Sequence, residues 1–159
     1  MSCSAVAFSA MLWLASSSAV PVQAAPAVAT APPSVAGEPL FSDIVRRAAG
    51  LKAQAEAYRA SLGADPAAPA ATLKDAETFG AKIAELSALD MKGHLALKER
   101  GAVDDLKCIL RGISVDLPEK LAAMTAARTI KDQDLALRDM VYLLNDNVEV
   151  ITAPPQPAA

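Results

Sequence analysis

The spacing of the apolar residues is the feature that most constrains the fold of this chain of 159 residues. In residues 41–62 the apolar positions from Ile44 onward follow one another at steps of 4, 3, 4, 3 and 4. Such steps place the apolar side chains on one face of an α-helix, which then packs against other helices. No stretch alternates apolar and polar residues for long enough to indicate a β-strand. The sequence therefore predicts an all-α protein.

Prolines and glycines divide this apolar pattern into four or five helical segments with short connections between them. We expect helices over residues 41–62, 72–101, 102–115, 118–128 and 131–151. Gly93 either ends the second helix or weakens it before the helix continues to Gly101. Short connections favour antiparallel neighbours, so the predicted fold is a small antiparallel helical bundle with coiled-coil-like faces.

Local signals suggest where three of the helices begin. Ser42 is the expected N-cap of the first helix, because a serine hydroxyl readily accepts a bond from a free N–H of the first turn. Thr72 with Asp75 three residues later is typical of a capping box at the start of the second helix. Pro118 suits the first turn of a separate short helix, where its missing N–H is not needed.

The predicted core consists of the residues that carry the helical spacing. The second helix continues the spacing through Leu89 or Asp90, and the last helix continues it through Met140 or Val141 and then Val148. The aromatic residues on or near apolar faces are expected to anchor this core, and they are Phe41, Tyr58, Phe79 and Tyr142.

The N-terminal region has the character of an export signal. No residue before Glu38 is charged, and residues 5–15 form an apolar run of the length found in signal peptides. Val22 and Ala24 provide the small residues of a cleavage site after residue 24, although the first four residues lack the usual Lys or Arg. The run is shorter than the roughly 20 residues of a membrane span. We expect a cleaved signal peptide and a periplasmic or secreted protein, with an uncleaved anchor as the alternative.

The remaining chain divides into a folded part between two Pro-rich segments. Residues 25–39 contain four prolines and read as a disordered Pro/Ala-rich tether, and residues 153–159 form a similar tail. Residues 40–152 make up the expected bundle domain. The formal net charge of −3 gives no basic field for nucleic acid. The predicted first helix is rich in Arg and Lys and the last in Asp and Glu, which favours packing them side by side, although exposed charges contribute little.

His94 and Cys108 are the candidate site residues, because they are the sole histidine and the sole cysteine after Cys3. They supply no metal-binding spacing and no C-x-x-C-H motif, so we expect no metal and no covalently bound haem. A b-type haem would need His94 and a methionine, Met124 or Met140, on facing helices. We expect Cys108 to be a small buried hydrophobe, with an intermolecular disulfide or a reactive thiol as alternatives, and His94 to lie at the surface or a helix end. A break at Gly101 then leaves the two residues in separate helices with no joint chemistry.

The chain also lacks the usual catalytic motifs. It contains no P-loop, no G-x-G-x-x-G, no EF-hand and no G-x-S-x-G elbow, so we do not expect an enzyme. The predicted function is that of an exported, non-catalytic helical protein of a bacterial-type cell envelope, which binds another envelope protein or itself. The alternative is a bundle that binds a small molecule or a cofactor such as b-type haem. Partner binding predicts apolar side chains left exposed on one helix face.

Overall fold

The computed structural model describes residues 34–102 and 105–153. The predicted signal peptide, most of the tether and residues 154–159 lie outside this part of the chain. Four helices make up the described fold: α1 (Pro39–Ser61), α2 (Ala76–Glu99), α3 (Leu106–Ala126) and α4 (Ile130–Thr152). Each helix packs antiparallel against the next, and α4 packs against α1, so the four form a closed ring. The predicted all-α antiparallel bundle is confirmed.

The apolar face of each helix points into one common core. Three predicted aromatic anchors, Phe41, Tyr58 and Phe79, are buried, and the Tyr58 and Phe79 rings meet edge to face with their centroids 5.2 Å apart. The prediction for Tyr142 is wrong, because this side chain is 69% exposed. Met140 and Leu144 occupy the core positions of α4, and residue 142 is turned about 200° away from Met140 on the helix.

Helix α3 is one continuous helix where the sequence predicted two, and it contains Pro118 in its interior. A proline at this position removes the N–H that would bond to the Ser114 carbonyl four residues earlier. The hydroxyl of Ser87 on α2 donates to that carbonyl instead, at 2.5 Å. The predicted break is wrong because a neighbouring helix supplies the hydrogen bond that the proline cannot.

Two of the predicted helix starts are also wrong. Ser42 lies inside α1, which begins at Pro39, and its hydroxyl donates to the Pro39 carbonyl at 3.3 Å. Helix α2 begins at Ala76 and not at Thr72, with Asp75 in the left-handed backbone region at φ 56°. A side-chain N-cap is found instead at α4, where the Thr129 hydroxyl accepts from the Asp132 N–H at 3.2 Å.

The connection between α1 and α2 is held against the turn between α3 and α4, which explains the late start of α2. Backbone hydrogen bonds join Ala70 to Arg128 and Ile130 to Ala68. The buried Gln133 side chain bonds both the N–H and the carbonyl of Ala71, at 2.9 and 3.0 Å. These bonds hold the chain in an extended form, so the helix can begin only after them.

Ion pairs connect the helices at the surface of the bundle. Arg59 on α1 bonds Asp134 on α4 at 2.8 Å, in line with the predicted charge complementarity, but both side chains are partly exposed and the pair adds at most about 1 kcal/mol. At one end, both guanidinium NH₂ groups of Arg100 donate to the Glu38 carboxylate at 2.7 Å. This contact ties the residue that precedes α1 to the residue that follows α2, and it lowers the pKa of Glu38.

Replacing Ser87 tests whether its hydrogen bond explains the proline inside α3. We expect Ser87→Ala to lower the free energy of unfolding by about 1–3 kcal/mol, because the Ser114 carbonyl is left without a donor. In a Pro118→Ala background the N–H of residue 118 is restored, and Ser87→Ala should then cost less than about 1 kcal/mol. Urea unfolding of the four proteins gives both values, and equal costs in the two backgrounds would contradict the explanation.

Candidate functional site

Two polar side chains lie in the centre of the apolar core. Asp90 comes from α2 and Asn147 from α4, and both are 0% exposed. The Asn147 side-chain nitrogen donates to the two Asp90 carboxyl oxygens, at 3.0 and 2.9 Å. Because α2 and α4 face each other diagonally in the ring, this pair spans the middle of the bundle. We call it the central pair.

Helical spacing puts both residues of the central pair at core positions. The buried residues of α2 run from Phe79 through Leu86 to Asp90 and on to Gly93 and Leu97, at alternating steps of three and four. In α4, Asn147 follows Leu144 by three residues, whereas the predicted Val148 is only half-buried. Helical spacing predicted either Leu89 or Asp90 at a core position, and it did not predict Asn147. Continuing the alternating steps of four and three from Met140 through Leu144 identifies residue 147.

Burial dominates the electrostatics of the central pair. It raises the pKa of Asp90 from 3.8 to about 7, since the charged form loses its hydration, and the hydrogen bond from Asn147 offsets this only in part. The amide oxygen of Asn147 is buried and has no hydrogen-bond partner among the described residues. An ionised carboxylate accepts hydrogen bonds only, so it leaves this oxygen unsatisfied.

The fold brings His94 of α2 close to the start of α3, where Cys108 lies. Helix α2 continues through Gly93, so His94 lies in the helix interior, half-buried, and not at a helix end. The chain reverses at Gly101, where φ is +67°, and α3 packs back on α2. The Nδ1 atom of His94 then lies 2.6 Å from the carbonyl oxygen of Lys107, the residue before the half-buried Cys108. This hydrogen bond gives His94 a structural role in joining α2 to α3.

The methionines considered for haem binding lie in the packed core. Met124 and Met140 are both buried in the common apolar cluster. Within residues 34–102 and 105–153, no group of three or more His, Cys, Asp or Glu side chains is placed to hold a metal ion.

An open groove of about 500 Å³ lies between α1 and α2, the pair of neighbouring helices with the smallest contact. Polar and charged residues are prominent among those that line it, and Arg47 crosses it to bond Glu85 at 2.9 Å. Arg47 also bonds Asp43, and this contact lowers the pKa of that carboxyl. Small-molecule sites are typically enclosed, and this groove is open and crossed by the ion pair of Arg47 and Glu85.

The outer face of α4 carries exposed apolar residues. Leu135 and Tyr142 are seven residues apart and therefore lie on the same side of the helix, 45% and 69% exposed. Arg138 lies between them, largely exposed. We call Leu135, Arg138 and Tyr142 the outer stripe. Leu95 on α2 and Val115 on α3 are also exposed, but each is the sole large apolar residue exposed on its helix within the described chain.

Comparison with protein-family models, with curated proteins and with solved structures finds no match to this chain. The function is therefore inferred from the chain's own geometry. None of the described helices has the length and apolar character needed to cross a membrane.

The contact between His94 and the Lys107 carbonyl predicts which ring nitrogen carries the proton of the neutral imidazole. Because a carbonyl oxygen can only accept, the neutral imidazole should carry its proton on Nδ1. Long-range proton–nitrogen correlation spectra distinguish the two tautomers in the folded protein. His94→Ala removes the donor and should lower the free energy of unfolding by about 1 kcal/mol. A proton found on Nε2 of the neutral ring would show that the contact with Lys107 is not made.

Proposed function

We propose that this chain is an exported, non-catalytic helical protein of the cell envelope that works by binding another protein or a second copy of itself. The outer stripe of α4 is the observation that carries this proposal. It is made of a leucine, an arginine and a tyrosine on one exposed helix face. Tyrosine and arginine are enriched among the residues that dominate protein–protein binding energies.

The stability of the bundle does not account for the outer stripe. Exposed side chains outside special contacts change the free energy of unfolding by no more than about 0.5 kcal/mol when replaced. Tyr142 takes no part in the core, so a tyrosine there adds little to folding. A partner that covers it would bury a large, rigid aromatic side chain at small entropic cost.

The predicted tether fits the same proposal. If residues 25–33, which precede the described chain, are extended, they span roughly 28 Å at about 3.1 Å per residue. A bundle on such a tether presents its outer stripe at a distance from whatever holds its N-terminal end. The protein then acts as a displayed binding module, located in the periplasm or outside the cell.

Site-specific photo-crosslinking in the native host tests the proposal. A photoreactive amino acid replaces Tyr142 and, in a separate variant, Val115, the large apolar residue exposed on α3. We expect a discrete adduct from residue 142 and none from residue 115. An adduct of twice the mature mass indicates self-association, and any other mass indicates a different partner.

The crosslink yield and the unfolding transition of a second variant, Leu135→Ser, complete the test. Leu135→Ser should weaken the crosslink from residue 142 several-fold without changing the unfolding transition, because the two side chains share one face. No adduct from residue 142, or the same adducts from both positions, would overturn the assignment of the outer stripe as the binding face.

A further inference from the structure

We propose that the central pair of Asp90 and Asn147 is a proton-operated switch, closed when Asp90 is a neutral acid and loosened when Asp90 is ionised. The proposal concerns the inside of the bundle and is independent of the binding function proposed for its surface. It rests on the burial of both side chains, their hydrogen bonds and the unsatisfied amide oxygen.

The hydrogen-bonding capacity of the two groups favours the neutral acid. A protonated carboxyl has one O–H to donate and one oxygen to accept, which matches the amide of Asn147, with its N–H donor and its oxygen acceptor. A rotation of the amide plane lets the Asp90 O–H donate to the Asn147 oxygen while the amide nitrogen donates to the other Asp90 oxygen. Both groups are then satisfied. In the ionised form the Asn147 oxygen has no donor, and a charge lies in the apolar core.

Among residues 34–102 and 105–153, no opposite charge contributes to stabilising the ionised form of Asp90. One turn further along α2, Gly93 packs so closely that a Cβ there would lie 3.2 Å from Leu110 of α3 and 3.3 Å from Phe41 of α1. The titratable groups close in sequence to these contact residues and to Asn147 are Asp43 and Arg47 on α1, Lys92 and His94 on α2, Lys107, Cys108 and Arg111 on α3, and Asp146 on α4. None of them contributes to the pKa of Asp90, which burial raises and Asn147 lowers.

Several of these groups are engaged elsewhere. Asp43 and Arg47 bond each other at 2.9 Å. His94 bonds the Lys107 carbonyl. Asp146 is half-buried, and burial together with Glu149 raises its own pKa. Among the described residues, Asp90 is the only Asp, Glu, Lys or Arg that is buried, so no buried cation is present to stabilise its ionised form.

The direction of the pH effect follows from the raised pKa. The folded state holds the Asp90 proton up to about pH 7, whereas the unfolded chain releases it near 3.8. Between these values the folded state binds more protons, so its stability falls as the pH rises, and the loss is complete above about pH 7. Between pH 5 and pH 8 this one group lowers the folding equilibrium constant by about a hundredfold.

Urea unfolding of the wild type and of Asp90→Asn from pH 5 to pH 8 tests the switch. Asparagine keeps the shape and can pair with Asn147 but has no proton to lose. We expect the folding equilibrium constant of the wild type to fall by about a hundredfold relative to that of Asp90→Asn. Asp116→Asn, the same change at a half-buried position of α3 outside the core, should follow the wild type. Parallel curves for the wild type and Asp90→Asn would overturn the proposal.

Two measurements on folded protein report the proton and the loosening directly. The infrared carbonyl band of a protonated carboxyl, assigned by its loss in Asp90→Asn, should be present at pH 5 and absent at pH 9. Asn147→Leu removes the bond that lowers the pKa, so the band should persist to higher pH. Hydrogen exchange at residues 86–94 and 144–151, corrected for its intrinsic pH dependence, should quicken above pH 7 in the wild type only. If the band at pH 5 is the same in the wild type and in Asp90→Asn, Asp90 is ionised there and the switch is refuted.

Discussion

The burial of four apolar helix faces in one core is the interaction on which the rest of this structure depends. With few aromatic residues and much alanine, the core has little area to spare, and every polar group inside it must be satisfied within the protein. Two places show how this requirement is met. Ser87 supplies the bond that Pro118 removes, and Asn147 supplies the bonds to Asp90. In the second case the satisfaction is incomplete, and the protonation of Asp90 completes it.

Much of the fold was predictable because it depends on local spacing. The steps of three and four identified nearly all of the buried positions of α1 and gave the all-α bundle directly. The errors at Pro118 and Thr72 share a cause, which is that a distant part of the chain overrode a local signal. Pro118 ends a helix only if no neighbour serves the freed carbonyl. Thr72 caps a helix only if the chain around it is not held elsewhere, and here Gln133 holds Ala71.

The candidate sites, like the fold, were only partly predictable from the sequence. His94 and Cys108 were singled out because they are rare residue types, and rarity says nothing about position. The structure gives His94 a hydrogen bond that joins α2 to α3. Asp is a common residue type in this chain and Asn occurs only at positions 145 and 147, but neither type by itself indicates a site. They become distinctive only when helical spacing places both inside the core, and their contact joins residues 57 positions apart in sequence.

The contact between Glu38 and Arg100 has a mechanical consequence. A force applied through the residues before α1 acts first on Val35 and Ala36, which pack against the core, and then on Glu38. Arg100 transmits part of the force at Glu38 to the C-terminal end of α2, so α1 does not carry all of it. Because both side chains are exposed, dissolved salt screens their attraction. The N-terminal end of α1 is therefore held more firmly at low than at high ionic strength, while the apolar contacts of the core do not depend on this screening.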